Sequence, residues 1–499
     1  MTRHTELYNS KCFIHSIEYQ MSINNTKRPK LIVGIGASSS SIDALIVFFS
    51  KMPKNTGMAF VLLPHLESNY QSFMAPLFKG KVNMPVLEAE DNMLVEANHV
   101  YTLAVSKETT IADSHFHLSN TSKPHQEWIA IDYFLSSLAK DQGERSVAVI
   151  LSGTGCQGTL GLRDIKLSGG MIIAQDPLTT QHYQMPKNAI DSGLVDMMVS
   201  PEEMSSILIK YTSHPYLDKQ THTITESKLK NIYRILAYMR KRIKYDFRGY
   251  QQNMLLRRIQ RRMCINQLNS LDAYYDLLKA NQKEVTALNK DLLIGATTFF
   301  RDKDAFKVLA KKIIPRLVAN CTEKKPLRIW VPACAAGEEL YTITMLVFEA
   351  FDQAKKPVMA QIFASDIDKH SLKIAREGVY PKYIEGDISS DRLKRFFEYT
   401  AKDEYKIKKA LRETIIFTTQ NLVCDTPSSD LDLICCRNLL IYLRPELQSK
   451  VLNTFHFALK PDSVLMLGPS ESLGNNNQFE TLSKRWRLFK SIKVINKMS

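Results

Sequence analysis

Short apolar runs alternate with amphipathic stretches through the first part of the chain. Leu31–Ala37, Ala59–Leu63 and Ser146–Leu151 are rich in Val, Ile and Leu. At about five to seven residues they are too short for helices and fit strands buried on both faces of a parallel sheet. Between them, Asp43–Ser50 and Ile131–Asp141 carry apolar residues at helical spacing. The alternation predicts a doubly wound α/β unit over residues 31–210, after an N-terminal tail of residues 1–30. Residues 211–227 are polar enough for a linker. Residues 228–293 have helical periodicity alone: Ile232, Ile235, Leu236, Met239 and Ile243 share one face, and Leu256, Ile259 and Met263 another. Strand-like runs return at Leu327–Pro332, Gln361–Ala364, Thr414–Phe417, Leu431–Cys436 and Val464–Gly468. They predict a second doubly wound domain over residues 294–495, with a small charged insertion near 380–413. The fold class is therefore α/β, two Rossmann-like domains joined by a small basic all-helical domain.

Composition narrows this picture only slightly. A chain of 499 residues exceeds one compact core. Its formal charge of +15 suggests acidic partners, whether nucleic acid, anionic membrane or acidic protein helices, and does not choose among them. The helical region concentrates that charge in Arg240, Arg257, Arg258, Arg261 and Arg262. Eight scattered cysteines form no CxxC pair and have no histidine at zinc-finger spacing, which predicts free thiols and no metal site. No apolar stretch is long enough to span a bilayer and no signal-peptide core opens the chain, so a cytoplasmic location is expected. Too few residues precede Leu31 for a phosphoryl-accepting receiver domain.

The candidate chemistry is densest in the second α/β region. Trp330–Tyr341 runs from a strand through Pro332-Ala333-Cys334-Ala335-Ala336-Gly337 into a helix, so a ligand can approach the backbone closely. The loop has one glycine and two glutamates, Glu338 and Glu339. These would repel a pyrophosphate and suit a cationic ligand such as a sulfonium amino acid. Asp366 ends the next strand, where an acid reads ribose hydroxyls in nucleoside-binding folds. Three further blocks complete the pattern: Thr297-Thr298-Phe299-Phe300-Arg301-Asp302, Thr419-Gln420-Asn421-Leu422, and Cys435-Cys436-Arg437-Asn438-Leu439-Leu440-Ile441-Tyr442.

In this order the blocks resemble the chemotaxis receptor methyltransferase (CheR) family, over about Lys228 to Lys493. The resemblance implies an S-adenosyl-L-methionine cofactor. It implies that Thr297 and Arg301 reach the cofactor, Arg301 near its carboxylate. Glu339 would hold the ammonium, Asp366 the ribose, and Asn421 and Leu422 the adenine. Arg437 and Asn438 would line the pocket beside the transferred methyl, and Tyr442 would wall the substrate channel. Gly295 departs from the pattern, because some members carry a polar cofactor contact there. The implied acceptor is a glutamate on a chemoreceptor's cytoplasmic helices, docked on the basic face named above. A glutamate of ordinary pKa is ionised at neutral pH, so its attack on the sulfonium methyl requires no general base.

The first α/β region carries a weaker constellation. Ser38 follows Gly34-Ile35-Gly36-Ala37 at a strand-to-helix turn, and His65 ends the next strand, as a Ser–His pair requires. With Ser152-Gly153-Thr154-Gly155-Cys156-Gln157-Gly158, Ala174-Gln175-Asp176-Pro177 and Tyr183-Gln184-Met185-Pro186, the region resembles the chemotaxis methylesterase (CheB) family. That likeness implies Ser38 as nucleophile and His65 as general base, with Gln157 where the family has its catalytic aspartate. Glutamine accepts a hydrogen bond but brings no negative charge to an imidazolium, so an impaired esterase is expected. Ser40 and Ser41 replace a glycine pair. Asp176 is a candidate substitute acid, although nothing in the sequence places it near His65. Two rival readings stay open: a non-enzymatic receptor-binding scaffold, and a methyltransferase on another acceptor such as nucleic acid.

Overall fold

The computed structural model describes residues 28–492 apart from 66–77, 79, 105–106, 121–129, 156, 219–223, 294, 296 and 401–403. The N-terminal tail before residue 28 and Cys156 thus lie outside the described residues. The chain divides into two compact units, Met1–Thr223 with Ile259–Tyr274, and Ile224–Arg258 with Tyr275–Ser499.

The first unit is built on a seven-stranded parallel sheet. Its central strand, Leu31–Ser38, is buried at every position. Leu31, Val33, Ile35 and Ala37 face one apolar layer with Phe48, Phe49 and Met204. Ile32 faces the other, with Phe134, Leu135 and Leu162. This is the two-residue period of a strand covered by helices on both sides. The strand Met58–His65 flanks it on one side and Ser146–Ile150 on the other, both parallel. Strand order therefore reverses at Ser38, the place where open α/β sheets bind ligands.

The second unit repeats the principle. Leu327–Pro332 lies between Ala360–Asp366 and Leu431–Cys436, again parallel, and the reversal falls at the Ala333–Gly337 loop. Ile415–Thr419 and Leu459–Leu467 extend the sheet in parallel, and Leu488–Ser491 and Phe479–Ser483 close one edge antiparallel. The charged insertion is a three-stranded antiparallel sheet of Val379–Pro381, Glu404–Ile407 and Phe397–Tyr399.

Four helices, Glu226–Ile243, Gln252–Ile265, Leu271–Ala280 and Gln282–Leu293, form the all-helical region that follows the first sheet and precedes the second along the chain. The Thr225 hydroxyl caps the first by accepting from Lys228 N–H, and Lys244 ends it in the left-handed conformation. The basic face expected here does not survive as one surface. Arg257 is exposed, and the Arg240 side chain is 57% exposed. Arg258 and Arg262 are buried, and Arg261 is wholly so. For Arg261 the cause is a buried acid in the first unit. Asp196 accepts from Ile172 N–H and pairs with Lys166 at 2.5 Å and with Arg261. Arg261 also donates to the Gly170 carbonyl, at 3.1 Å from Nε and 2.7 Å from Nη2. Helical spacing shows that arginines share a face and not whether a distant carboxylate draws that face inward.

Candidate active site

At the strand-order reversal of the second unit, Leu327–Pro332 gives way to a loop held away from ordinary backbone geometry. Ala333 and Ala335 have φ of 53° and 49°, and Gly337 has 97°. Left-handed backbone costs an L-residue roughly 1–2 kcal/mol, so its repetition marks a loop shaped for close approach. Gly337 is required sterically as well, because a Cβ there would lie 2.8 Å from the Tyr380 hydroxyl and 2.9 Å from Ala375 Cβ. Tyr380 in turn donates to Ala336 O at 2.7 Å.

The loop opens onto a cavity of about 1060 Å³, its solvent mouth included. Thr297, Arg301, Glu339, Asp366, Asn421, Leu422, Arg437, Asn438 and Tyr442 all line it, although they come from separate stretches of the chain. Gly295 lines it too, and a Cβ there would meet Ala335 Cβ at 3.4 Å and Ser371 Oγ at 3.7 Å in ordinary contact.

Asp366 accepts Ala335 N–H on one carboxylate oxygen and Asp368 N–H on the other, both at 2.8 Å. Each oxygen keeps a lone pair for a ligand hydroxyl. Burial holds its pKa above the usual carboxylate range, and the two N–H bonds oppose that. Glu339, at the N-terminus of the helix Glu338–Gln353, is raised likewise by burial, against the pull of Arg437. Its Oε2 receives Arg437 Nη1 at 3.0 Å and its Oε1 receives Cys435 Sγ at 3.3 Å.

Two of the lining residues also make bonds within the protein. Arg437 is spent inward: besides Glu339 it pairs with Asp302, donates to Arg301 O at 3.3 Å and stacks over Phe306 at 4.9 Å. It therefore orients Glu339 and the Arg301–Asp302 turn. Asn421 turns its Oδ1 to Val423 N–H at 3.0 Å, so it shapes the turn that brings Leu422 to the cavity.

Other contributors escaped the sequence reading. Glu471 is buried and accepts N–H groups from Gly468, Asn438 and Leu440 at 2.6, 3.0 and 2.6 Å. It fixes the loop carrying Arg437 and Asn438, the latter at φ 61°. Its only signal was an acid three residues beyond a strand. Tyr245 and Tyr250 reach the cavity from the helical region, and no periodicity marks them.

In the first unit, the parallel register sets Ser38 directly beside His65. The side chain of His65 lies outside the described residues. Ser38 is buried, and its Oγ shares a hydrogen bond with Ser40 Oγ at 2.6 Å and accepts from Ser40 N–H at 3.2 Å. Ser41 donates to Ser38 O at 2.6 Å. The glycine-to-serine changes thus close the turn on the candidate nucleophile. The opposing loop comes near: a Cβ on Gly153 would lie 3.1 Å from Ser38 Oγ. Gln157 is buried in that loop. Asp132, from the neighbouring helix Ala130–Gln142, accepts Gly158 N–H at 3.0 Å and Gly161 N–H at 2.7 Å. Complete burial raises its pKa to about 6 despite those bonds. Asp176 accepts from Leu178 N–H and caps its own turn.

Family models match three segments: CheB methylesterase over residues 33–208, CheR methyltransferase, all-alpha domain, over 230–293, and CheR methyltransferase, SAM binding domain, over 295–488. A chemotaxis protein methyltransferase of Vibrio parahaemolyticus is 38% identical over 210 residues, 39% of this chain and 74% of that protein. An uncharacterized 104.1 kDa protein in the hypE 3' region of Rhodobacter capsulatus is 33% identical over 443 residues, 84% of this chain. This chain spans 46% of that relative's length. The crystal structure of the Thermotoga maritima CheB methylesterase catalytic domain aligns with 36% of this chain and 97% of its own, at 27% identity and a TM-score of 0.34. The chain belongs to the CheR methyltransferase family and carries a CheB methylesterase domain ahead of its CheR domains. The CheR portion is a protein-glutamate O-methyltransferase domain whose cofactor is S-adenosyl-L-methionine. Among the described residues, no helix is long and apolar enough to cross a membrane, and no three His, Cys, Asp or Glu side chains gather as for a metal ion.

Proposed function

We propose that this chain methylates glutamate side chains on the cytoplasmic helices of chemoreceptor-type proteins, and that its methylesterase domain is catalytically impaired. The observation that carries the first part is the convergence of nine separated motif residues on one cavity at the strand-order reversal. That cavity suits the cofactor chemically: it offers the carboxylates Glu339 and Asp366 to cationic and hydroxyl groups, and Arg301 to a carboxylate. When bound, S-adenosyl-L-methionine supplies an electrophilic methyl on sulfonium. The protein orients, excludes water and neutralises charge. Arg437 and Asp302 brace Glu339 and Arg301, and Tyr442 walls the side from which an acceptor glutamate approaches. That glutamate arrives ionised, so positioning and dehydration supply the acceleration. Acidic receptor helices dock on the exposed Arg240 and Arg257. A reaction with labelled S-adenosyl-L-methionine, a receptor cytoplasmic fragment and excess RNA tests the acceptor. Label stays on the fragment in this account, and transfer to RNA in a salt-sensitive way contradicts it.

The second part is supported by Gln157 at the acid position and by the two hydrogen bonds Ser38 Oγ makes with Ser40. Gln157→Asp should raise ester hydrolysis on methylated receptor by about 10²-fold or more, given the ~10⁴ cost of losing the triad carboxylate in serine proteases. Unchanged turnover would show that the missing charge is not the defect.

A further inference from the structure

Tyr245 and Tyr250 line the methyltransferase cavity together with Asp366, yet both come from the helical region. Their hydroxyls lie 2.9 Å apart. A pair of phenols uses one proton between them. The second has no protein acceptor among the described residues, and it belongs to a side chain that lines the cavity.

The pair is built in rather than accidental. Both rings pack edge-on against Phe247, with centroids at 4.7 and 5.3 Å. The backbone beside them is stitched to the segment after the Arg437–Tyr442 block. Tyr250 bridges Leu443, Gln251 N–H donates to Tyr442 O at 2.8 Å, and Arg444 N–H donates to Gly249 O at 2.9 Å. Burial keeps both phenols protonated, and the Asp366 carboxylate is near enough to oppose the ionisation of either.

Asp366 can only accept. A ribose hydroxyl that donates to it keeps two lone pairs that can accept from a donor. The Ala335 and Asp368 N–H groups are already committed to the carboxylate itself.

We propose that the Tyr245–Tyr250 hydroxyl pair is a binding element for the cofactor's ribose, donating its spare proton to the hydroxyl that Asp366 accepts from. The proposal rests on reading the cavity as the S-adenosyl-L-methionine site. It makes the helical region part of the cofactor site and supplies a polar contact in a cavity where Gly295 offers none.

The test is calorimetric titration of the full chain, wild type and the Tyr245→Phe and Tyr250→Phe variants, with S-adenosylhomocysteine and its 2'-deoxy and 3'-deoxy analogues. At least one variant should bind S-adenosylhomocysteine about five- to tenfold more weakly, the loss of one neutral hydrogen bond. For the analogue lacking the hydroxyl in question, wild type and that variant should bind alike. Equal loss of affinity for all three ligands overturns the ribose assignment, and so does no loss in either variant. Failure of the wild type to bind S-adenosylhomocysteine overturns the cofactor reading and the tyrosine assignment with it.

Discussion

Single residues set the working pH of the cofactor site. Burial raises the pKa of both Asp366 and Glu339, so each takes up a proton at a higher pH than an ordinary carboxyl. In the proposed reading, protonation removes the anion that receives the ribose hydroxyl or the cofactor's ammonium. Affinity for S-adenosylhomocysteine should therefore fall as the pH is lowered, beginning above the usual carboxylate range. Asp366→Asn and Glu339→Gln should each weaken binding by roughly tenfold or more at neutral pH, in line with the loss of a charged hydrogen bond. Each should also flatten part of the pH dependence, and calorimetry across the acidic range reads both effects. A profile unchanged by either substitution would remove these carboxylates from the site.

Elements differ in how openly the sequence announces them. The strands Leu31–Ser38 and Leu431–Cys436 are apolar at nearly every position, and burial on both faces leaves no other reading. The loops between strand and helix have no such period. Their shape comes from partners far away in the chain, such as Glu471 under Asn438 and Asp132 under Gly158. Glu471→Ala would strip three N–H groups of a charged acceptor and should destabilise the methyltransferase unit by about 2–4 kcal/mol, read by chemical denaturation. Asp132 gives the first unit an unusual pH response. Its folded pKa, about 6, lies above the ordinary 3.8. Across that window the native state holds a proton that the unfolded chain has released. Stability is thus greatest at the acidic side and falls as the pH rises through about 6, by up to about 3 kcal/mol. Asp132→Asn should abolish that slope.

For the molecule as a whole, the order of the domains was written in the sequence, because the esterase-like blocks all precede the methyltransferase-like ones. What could not be read was which arginines stay exposed. Arg261 and Arg257 look alike in the sequence, but one is buried against Asp196 and the Gly170 carbonyl and the other is exposed. Arg261→Met should cost roughly 3–5 kcal/mol of stability by stranding part of a buried ion cluster. Arg257→Ala should weaken receptor docking, read as a lower affinity for a receptor cytoplasmic fragment. The central claim, that a glutamate on a receptor accepts the methyl, is tested most directly by labelled methyl transfer to a chemoreceptor cytoplasmic fragment, comparing wild type with Asp366→Ala. The account predicts label on the fragment with wild type alone, released by mild base as a carboxyl methyl ester is. Base-stable label, or no label from a wild-type protein that binds the cofactor, would contradict it.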